Sequence, residues 1–187
     1  MLQSMDQGAL ASLAAIIGLV GRAVWPLFST RVGVLRGQLL IGAAFAAHYA
    51  LIGIATAAIV NVLGSLQTAS ALLPLRARTV RYAGCGFIVA MAGVTVASWA
   101  GPASLLVTVG QAFIVIARMQ KDVVLIFMLL LVGQLLWGVH DIVVGSPVAI
   151  AADAVGLLVG GWMLGRHCTA RSRLSNSTSR ALQVALH

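Results

Sequence analysis

Apolar residues fill this chain in long unbroken runs rather than in alternation or in a narrow helical stripe. Seven runs stand out, at 8–28, 37–54, 56–75, 82–99, 102–117, 123–144 and 147–166. Each predicts a helix, and most are about long enough to cross a hydrocarbon core ~30 Å thick at 1.5 Å per residue. A closed barrel is the only other fold that leaves no backbone polar group facing lipid, and the runs lack its period-two alternation. Local signals mark several helix starts. Ser146–Pro147 and Gly101–Pro102 place proline at a first helical position, Asp122 caps the sixth run and Thr56 the third. The turns after Gly53, at Gly101–Pro102 and at Gly145–Ser146 are short, so the helices they join lie antiparallel and adjacent.

Composition agrees. Of 187 residues, 60% are hydrophobic and only 9% charged, more apolar surface than a water-soluble domain can hide. No basic stretch precedes the first run, which therefore reads as a retained span and not a cleaved signal peptide. Cys85 and Cys168 have neither metal-ligand spacing nor an evident disulfide partner.

The net charge of +8 raises nucleic acid as a partner, but topology explains the twelve basic residues better. Arg31 and Arg36 follow the first run, Arg76, Arg78 and Arg81 the third, and Arg118 and Lys121 the fifth. Arg166, Arg171, Arg173 and Arg180 follow the seventh. Arg22 lies inside the first run, close enough to the same side to snorkel there. The three short turns of the other side carry no basic residue. The positive-inside rule then puts the N-terminus outside and the C-terminus in the cytoplasm, and excludes nucleic acid as the partner. The last segment, 167–187, reads as a flexible basic tail able to touch anionic lipid.

One polar pattern occurs twice. His48, Gly53, Asn61 and Gly64 recur as His140, Gly145, Asp153 and Gly156 at a constant offset of 92, with Phe45 and Trp137 each three residues before the histidine. The same offset carries Gly18 onto Gly110. Repeats are sought first because they determine architecture. The chain reads as a 3+1+3 arrangement: a three-helix unit at 8–75, a linker helix at 82–99 and a second unit of the same orientation at 102–166. Its site is expected between the units.

His48 and Asn61 each stand six or seven residues from an outer turn near 54–55, and His140 and Asp153 repeat this geometry, so all four share one level about 10 Å below the turns. Ionisable groups at membrane depth usually face an interior or a water-filled cavity. Asp153 is read as a proton or solute site, against a structural acid bonded to His140. For His48 and His140, a bond between helices two and three, or six and seven, stands level with proton or solute handling. A metal site is disfavoured, because the ligands would come from four helices. Trp137 is a membrane anchor or a stacking surface for solute, and Asp141 is expected to be solvated. Gln38 and Gln111 are further pathway residues. Gly18, Pro26 and Gly110 are candidate flex points, while Gly64, Gly156, Gly160, Gly161 and Gly165 suit close helix packing.

These residues carry two resemblances. Gln38, His48, Gly53 and Asn61, with Trp137, His140, Gly145 and Ser146, make the chain similar to the YgjV-type family of bacterial inner-membrane proteins. More distantly its architecture resembles the SWEET, semiSWEET and PQ-loop transporters. That likeness implies a central solute pocket lined by the third helix of each unit, hence by Asn61 and Asp153. Trp25–Pro26 is not that group's Pro-Gln pair, the fifth run lacks a proline near its inner end, and the second pocket position is acidic, so sugar specificity is not carried over. The expectation is an inner-membrane small-solute transporter or facilitator, with proton linkage open and no cofactor. The alternatives are a non-transporting scaffold or receptor and, lower, an enzyme, for which nucleophile motif, acidic metal cluster and nucleotide loop are all missing.

Orientation is testable directly. In a chain freed of Cys85 and Cys168, an impermeant thiol reagent on intact cells should label Ser4→Cys and leave Ser177→Cys untouched. Labelling of the latter would reverse the topology.

Overall fold

The computed structural model describes residues 2–185 except 75, with side chains over 6–172 apart from 75 and 77. The described residues form seven helices long and apolar enough to cross a membrane. They are α1 (Leu2–Val24), α2 (Arg31–Leu51), α3 (Ala55–Leu72), α4 (Ala77–Ala97), α5 (Pro102–Met119), α6 (Val123–Val144) and α7 (Pro147–Ala185). The expected tail, 167–187, begins inside α7, and from 173 onward its side chains lie outside the described residues.

Caps explain where the helices depart from the apolar runs. α2 starts six residues before its run because the Thr30 hydroxyl accepts a bond from the Gly33 N–H. α1 gives way at Trp25 to a single 3₁₀ turn, Trp25–Leu27, which contains Pro26. Asp122 caps α6 as expected, its Oδ1 accepting from Val124 and Leu125 N–H. The Leu125 N–H foremost, then Arg171 and the Val124 N–H, hold this carboxyl below its ordinary range. Thr56 does not cap α3. Its hydroxyl instead donates to Ser98 O at 2.7 Å, because the end of α4 lies within reach. The Ser146 hydroxyl is likewise drawn off, to His48.

The three short turns rest on glycines in the left-handed region, Gly53 (φ +81°), Gly101 (φ +94°) and Gly145 (φ +74°). Two of the turns share one hydrogen-bond pattern. Ile54 N–H donates to Tyr49 O and Ser146 N–H to Asp141 O, while Gly53 N–H donates to Ala50 O and Gly145 N–H to Ile142 O.

The helices close a ring in the order α1, α2, α3, α5, α6, α7, with α7 returning to α1; α4 stands outside against α3 and α5. Leu10, Leu13, Leu66, Leu135 and Leu158 are among the large apolar side chains pointing outward, as a hydrocarbon surround requires.

Glycines set the closest approaches. A Cβ at Gly133 would stand 2.6 Å from Gly110 O, and one at Gly110 would stand 2.9 Å from Gly133 O, so α5 and α6 meet backbone to backbone. Gly18 lies against the Phe45 ring and Gly110 against the Trp137 ring, the same contact at positions 92 apart. Gly18 and Gly110, expected as flex points, thus occupy tight packing contacts. Gly64 faces the Gln111 amide and Gly156 the Gln134 amide. Gly160 packs against Leu131, whereas Gly161 and Gly165 meet open space.

These contacts separate packing glycines from idle ones. Gly133→Ala should lower stability by about 1–3 kcal/mol, the usual cost of overpacking, since the obstructing atom is backbone. Gly161→Ala should leave the thermal midpoint in detergent unchanged or slightly raised. Equal midpoints for the two variants would contradict the α5–α6 contact.

Candidate functional site

Polar side chains fill the middle of the ring in three tiers. The first lies toward the Gly53 and Gly145 turns. His48 donates from Nδ1 to Ala11 O of α1 at 2.9 Å, and its Nε2 is hydrogen-bonded with the Ser146 hydroxyl at 3.0 Å. One residue on, Tyr49 donates its hydroxyl to Asp141 Oδ1, joining α2 to α6. His140 Nδ1 donates to the same oxygen at 2.9 Å. Trp137 stacks on Tyr49 with ring centroids 5.7 Å apart, and His140 stands edge-on to both rings.

Several expectations are corrected here. Asp141 is not solvated: it is 2% exposed, because Tyr49 and His140 satisfy it inside the ring. Trp137 is no interfacial anchor, being buried beside Tyr49. His48 ties α2 to α1 and to the start of α7 rather than to α3. His140 bonds Asp141, its chain neighbour, and not Asp153.

The second tier is an ion pair. Arg22 Nη2 lies 3.0 Å from Asp153 Oδ1, joining α1 to α7, and both side chains are more than nine-tenths buried. The expected snorkelling of Arg22 does not occur, although it stands in the last turn of α1: its guanidinium turns inward to a carboxylate and to the Phe45 face, 5.5 Å from the guanidinium carbon. The pair is close but poorly aligned. Neither Asp153 oxygen accepts a well-directed hydrogen bond, and Arg22 Nε has no protein partner. The backbone behind it is firm, for Gln134 Nε2 donates to Asp153 O at 2.8 Å.

The third tier belongs to Arg118, 3% exposed near the end of α5. Nη1 donates to Gly64 O at 2.8 Å and to Gln67 Oε1 at 3.2 Å. Nη2 makes a long 3.4 Å contact to Gln38 Oε1, and Nε has no partner. Gly64 is therefore more than a packing residue, since its carbonyl anchors a buried cation.

Between the tiers lies a cavity of about 20 Å³, room for roughly one water. Arg22, Gln38, Asn61, Gln111, Arg118 and Trp137 supply its polar wall. Asn61 reaches it while donating Nδ2 to Ala57 O on its own helix. Two wider openings flank it. One, about 320 Å³, lies among the short turns and ends on His140. The other, about 680 Å³, lies at the opposite helix ends among Arg31, Arg81, Lys121 and Asp122. Among the described residues no three His, Cys, Asp or Glu side chains gather as a metal site.

Sequence reasoning missed Tyr49, Asp141, Arg22 and Arg118 as site residues. Arg22 and Arg118 were absorbed into a topological count. A signal for the first two existed, because Tyr49 and Asp141 are themselves 92 apart.

Seven apolar helices around a buried ionic core define a multi-pass membrane protein. The chain belongs to the Imp-YgjV family of bacterial inner membrane proteins, whose model matches residues 9–171, so its place is the bacterial inner membrane. No curated protein and no solved structure matches it.

The ion pair makes a prediction about stability. Asp153→Leu leaves a buried guanidinium unpaired and should cost about 3–5 kcal/mol, whereas Arg22→Leu with Asp153→Leu should recover most of that loss. Thermal unfolding of the single and double variants in detergent measures it. Additive losses would mean the two side chains do not depend on each other.

Proposed function

We propose that the protein is a small-solute transporter or facilitator, caught with its pathway closed at the centre. The observation that carries the reading is the small polar cavity. Its wall draws on α1, α2, α3, α5 and α6, and a wider opening lies beyond it at each end of the helices. A scaffold has no evident use for two buried arginines at a junction between helices, since each carries a large desolvation cost in a membrane.

The proposed architecture is two equivalent three-helix units, α1–α3 and α5–α7, with α4 as linker and the N-terminus outside. Support comes from contacts that recur 92 residues apart, and from the matching pairing of α1 with α7 and of α5 with α3. Tyr49 and Asp141, equivalent positions of the two units, meet each other and close the route from the turns. Movement of one unit against the other would separate this pair and the Arg22–Asp153 pair in turn. No side chain is assigned a chemical reaction, and the reading is of a protein that is not an enzyme.

Cysteine accessibility tests the closure. With Cys85 and Cys168 replaced, Asn61→Cys should react slowly with an impermeant reagent applied from the outside. Adding Tyr49→Phe should speed labelling tenfold or more, because a hydrogen bond to a charged group contributes about 1.5–3 kcal/mol and 1.4 kcal/mol is about a factor of ten. Unchanged labelling, with no flux of any small solute into proteoliposomes, would leave a scaffold or receptor as the better account.

A further inference from the structure

The central cavity has a chemical preference of its own. Two guanidinium groups, Arg22 and Arg118, line it, and no carboxylate does. Asp153 touches Arg22 but is not part of the wall, and Asp141 Oδ1 is taken by Tyr49 and His140. The unpartnered buried groups nearby are mostly donors. Arg22 and Arg118, both residues of the wall, each leave Nε without a partner, and Gln67 Nε2, beside Arg118, is a third such donor. An unpartnered donor inside a membrane protein is costly, and the group that relieves several at once is an anion with more than one acceptor atom.

The approach carries the same sign. Arg31, Arg81 and Lys121 line the larger opening, and Arg31 Nη2 donates to Arg118 O at 2.9 Å. The carboxylate there, Asp122, is engaged by two α6 N–H groups and by Arg171. A funnel of one sign raises the local concentration of the opposite charge.

We infer that the cavity between Arg22 and Arg118 is a binding site for the carboxylate group of a small monocarboxylate anion. A guanidinium fork matches two carboxylate oxygens, which favours this class over a spherical halide. The closed cavity has room for roughly one water, so a carboxylate enters only as Arg22 is drawn off Asp153 and the cavity widens, and a sugar ring would need far more space. Asp153 then acts as an internal competitor. It holds Arg22 when the site is closed, and an incoming carboxylate takes over that guanidinium. That the bound anion is cargo rests on the transport reading; that it binds does not.

The test uses the full chain in detergent in a zwitterionic buffer of low ionic strength. Sodium acetate is titrated while tryptophan fluorescence and the thermal midpoint are read, with sodium chloride, glucose and choline chloride as comparisons. Acetate should give a saturable shift in both signals, and the others none. Arg118→Gln should weaken acetate about tenfold or more, and Asp153→Asn should tighten it about tenfold, each step equal to about 1.4 kcal/mol. If Arg118→Gln fails to fold, Asp153→Asn carries the test, because its effect has the opposite sign from a loss of structure. No response to acetate, an equal response to chloride, or weaker acetate binding by Asp153→Asn overturns the site. Acetate binding without acetate flux in proteoliposomes sustains the site and overturns transport. Flux of glucose or choline with no acetate binding does the reverse.

Discussion

A guanidinium and a carboxylate in a hydrocarbon surround can exist together only if each finds the other or an equivalent partner. Arg22 and Asp153 meet that condition across α1 and α7, the contact that closes the helix ring. Arg118 meets it differently, by drawing on a backbone carbonyl and two glutamine oxygens. The desolvation cost of a buried ion in a membrane is high enough that these partners constrain where α1, α3, α5 and α7 sit. The glycines follow from the same demand. Gly64 leaves room for the Gln111 amide beside the carbonyl that Arg118 uses, and Gly110 and Gly133 let α5 approach α6.

The aromatic tier has a complementary role. Phe45, Tyr49 and Trp137 pack as neighbouring rings between the histidines and the guanidinium of Arg22, which lies over the Phe45 face. Aromatic rings fill space without adding a formal charge, and Tyr49 brings one hydroxyl to the Asp141 carboxylate.

The charges changed meaning once the helices were placed. Counted along the chain, Arg22 and Arg118 belong with the other basic residues as markers of one membrane side. Placed in the ring, both turn inward and become the chief chemistry of the cavity. Asp141 changed in the same way, from a solvated residue near a turn to the acceptor that joins α2 and α6. Asn61 and Asp153, picked out by their matched spacing, both lie in the polar core, though Asn61 lines the cavity and Asp153 stands behind Arg22. The histidines come to one tier, yet with partners other than those their positions implied.

What the chain alone determined is the number of helices, the three glycine turns, and the proline and Asp122 helix starts. All of these arise from local chemistry: runs of apolar residues, backbone angles open only to glycine, and a cap within three residues. Tertiary structure decided which buried charge meets which partner, which glycines stand at tight helix contacts, and that two arginines line one cavity. Those outcomes depend on rotations of whole helices about their axes and on side chains reaching across the ring. In a chain apolar on nearly every face, no stripe of hydrophobic positions records that rotation.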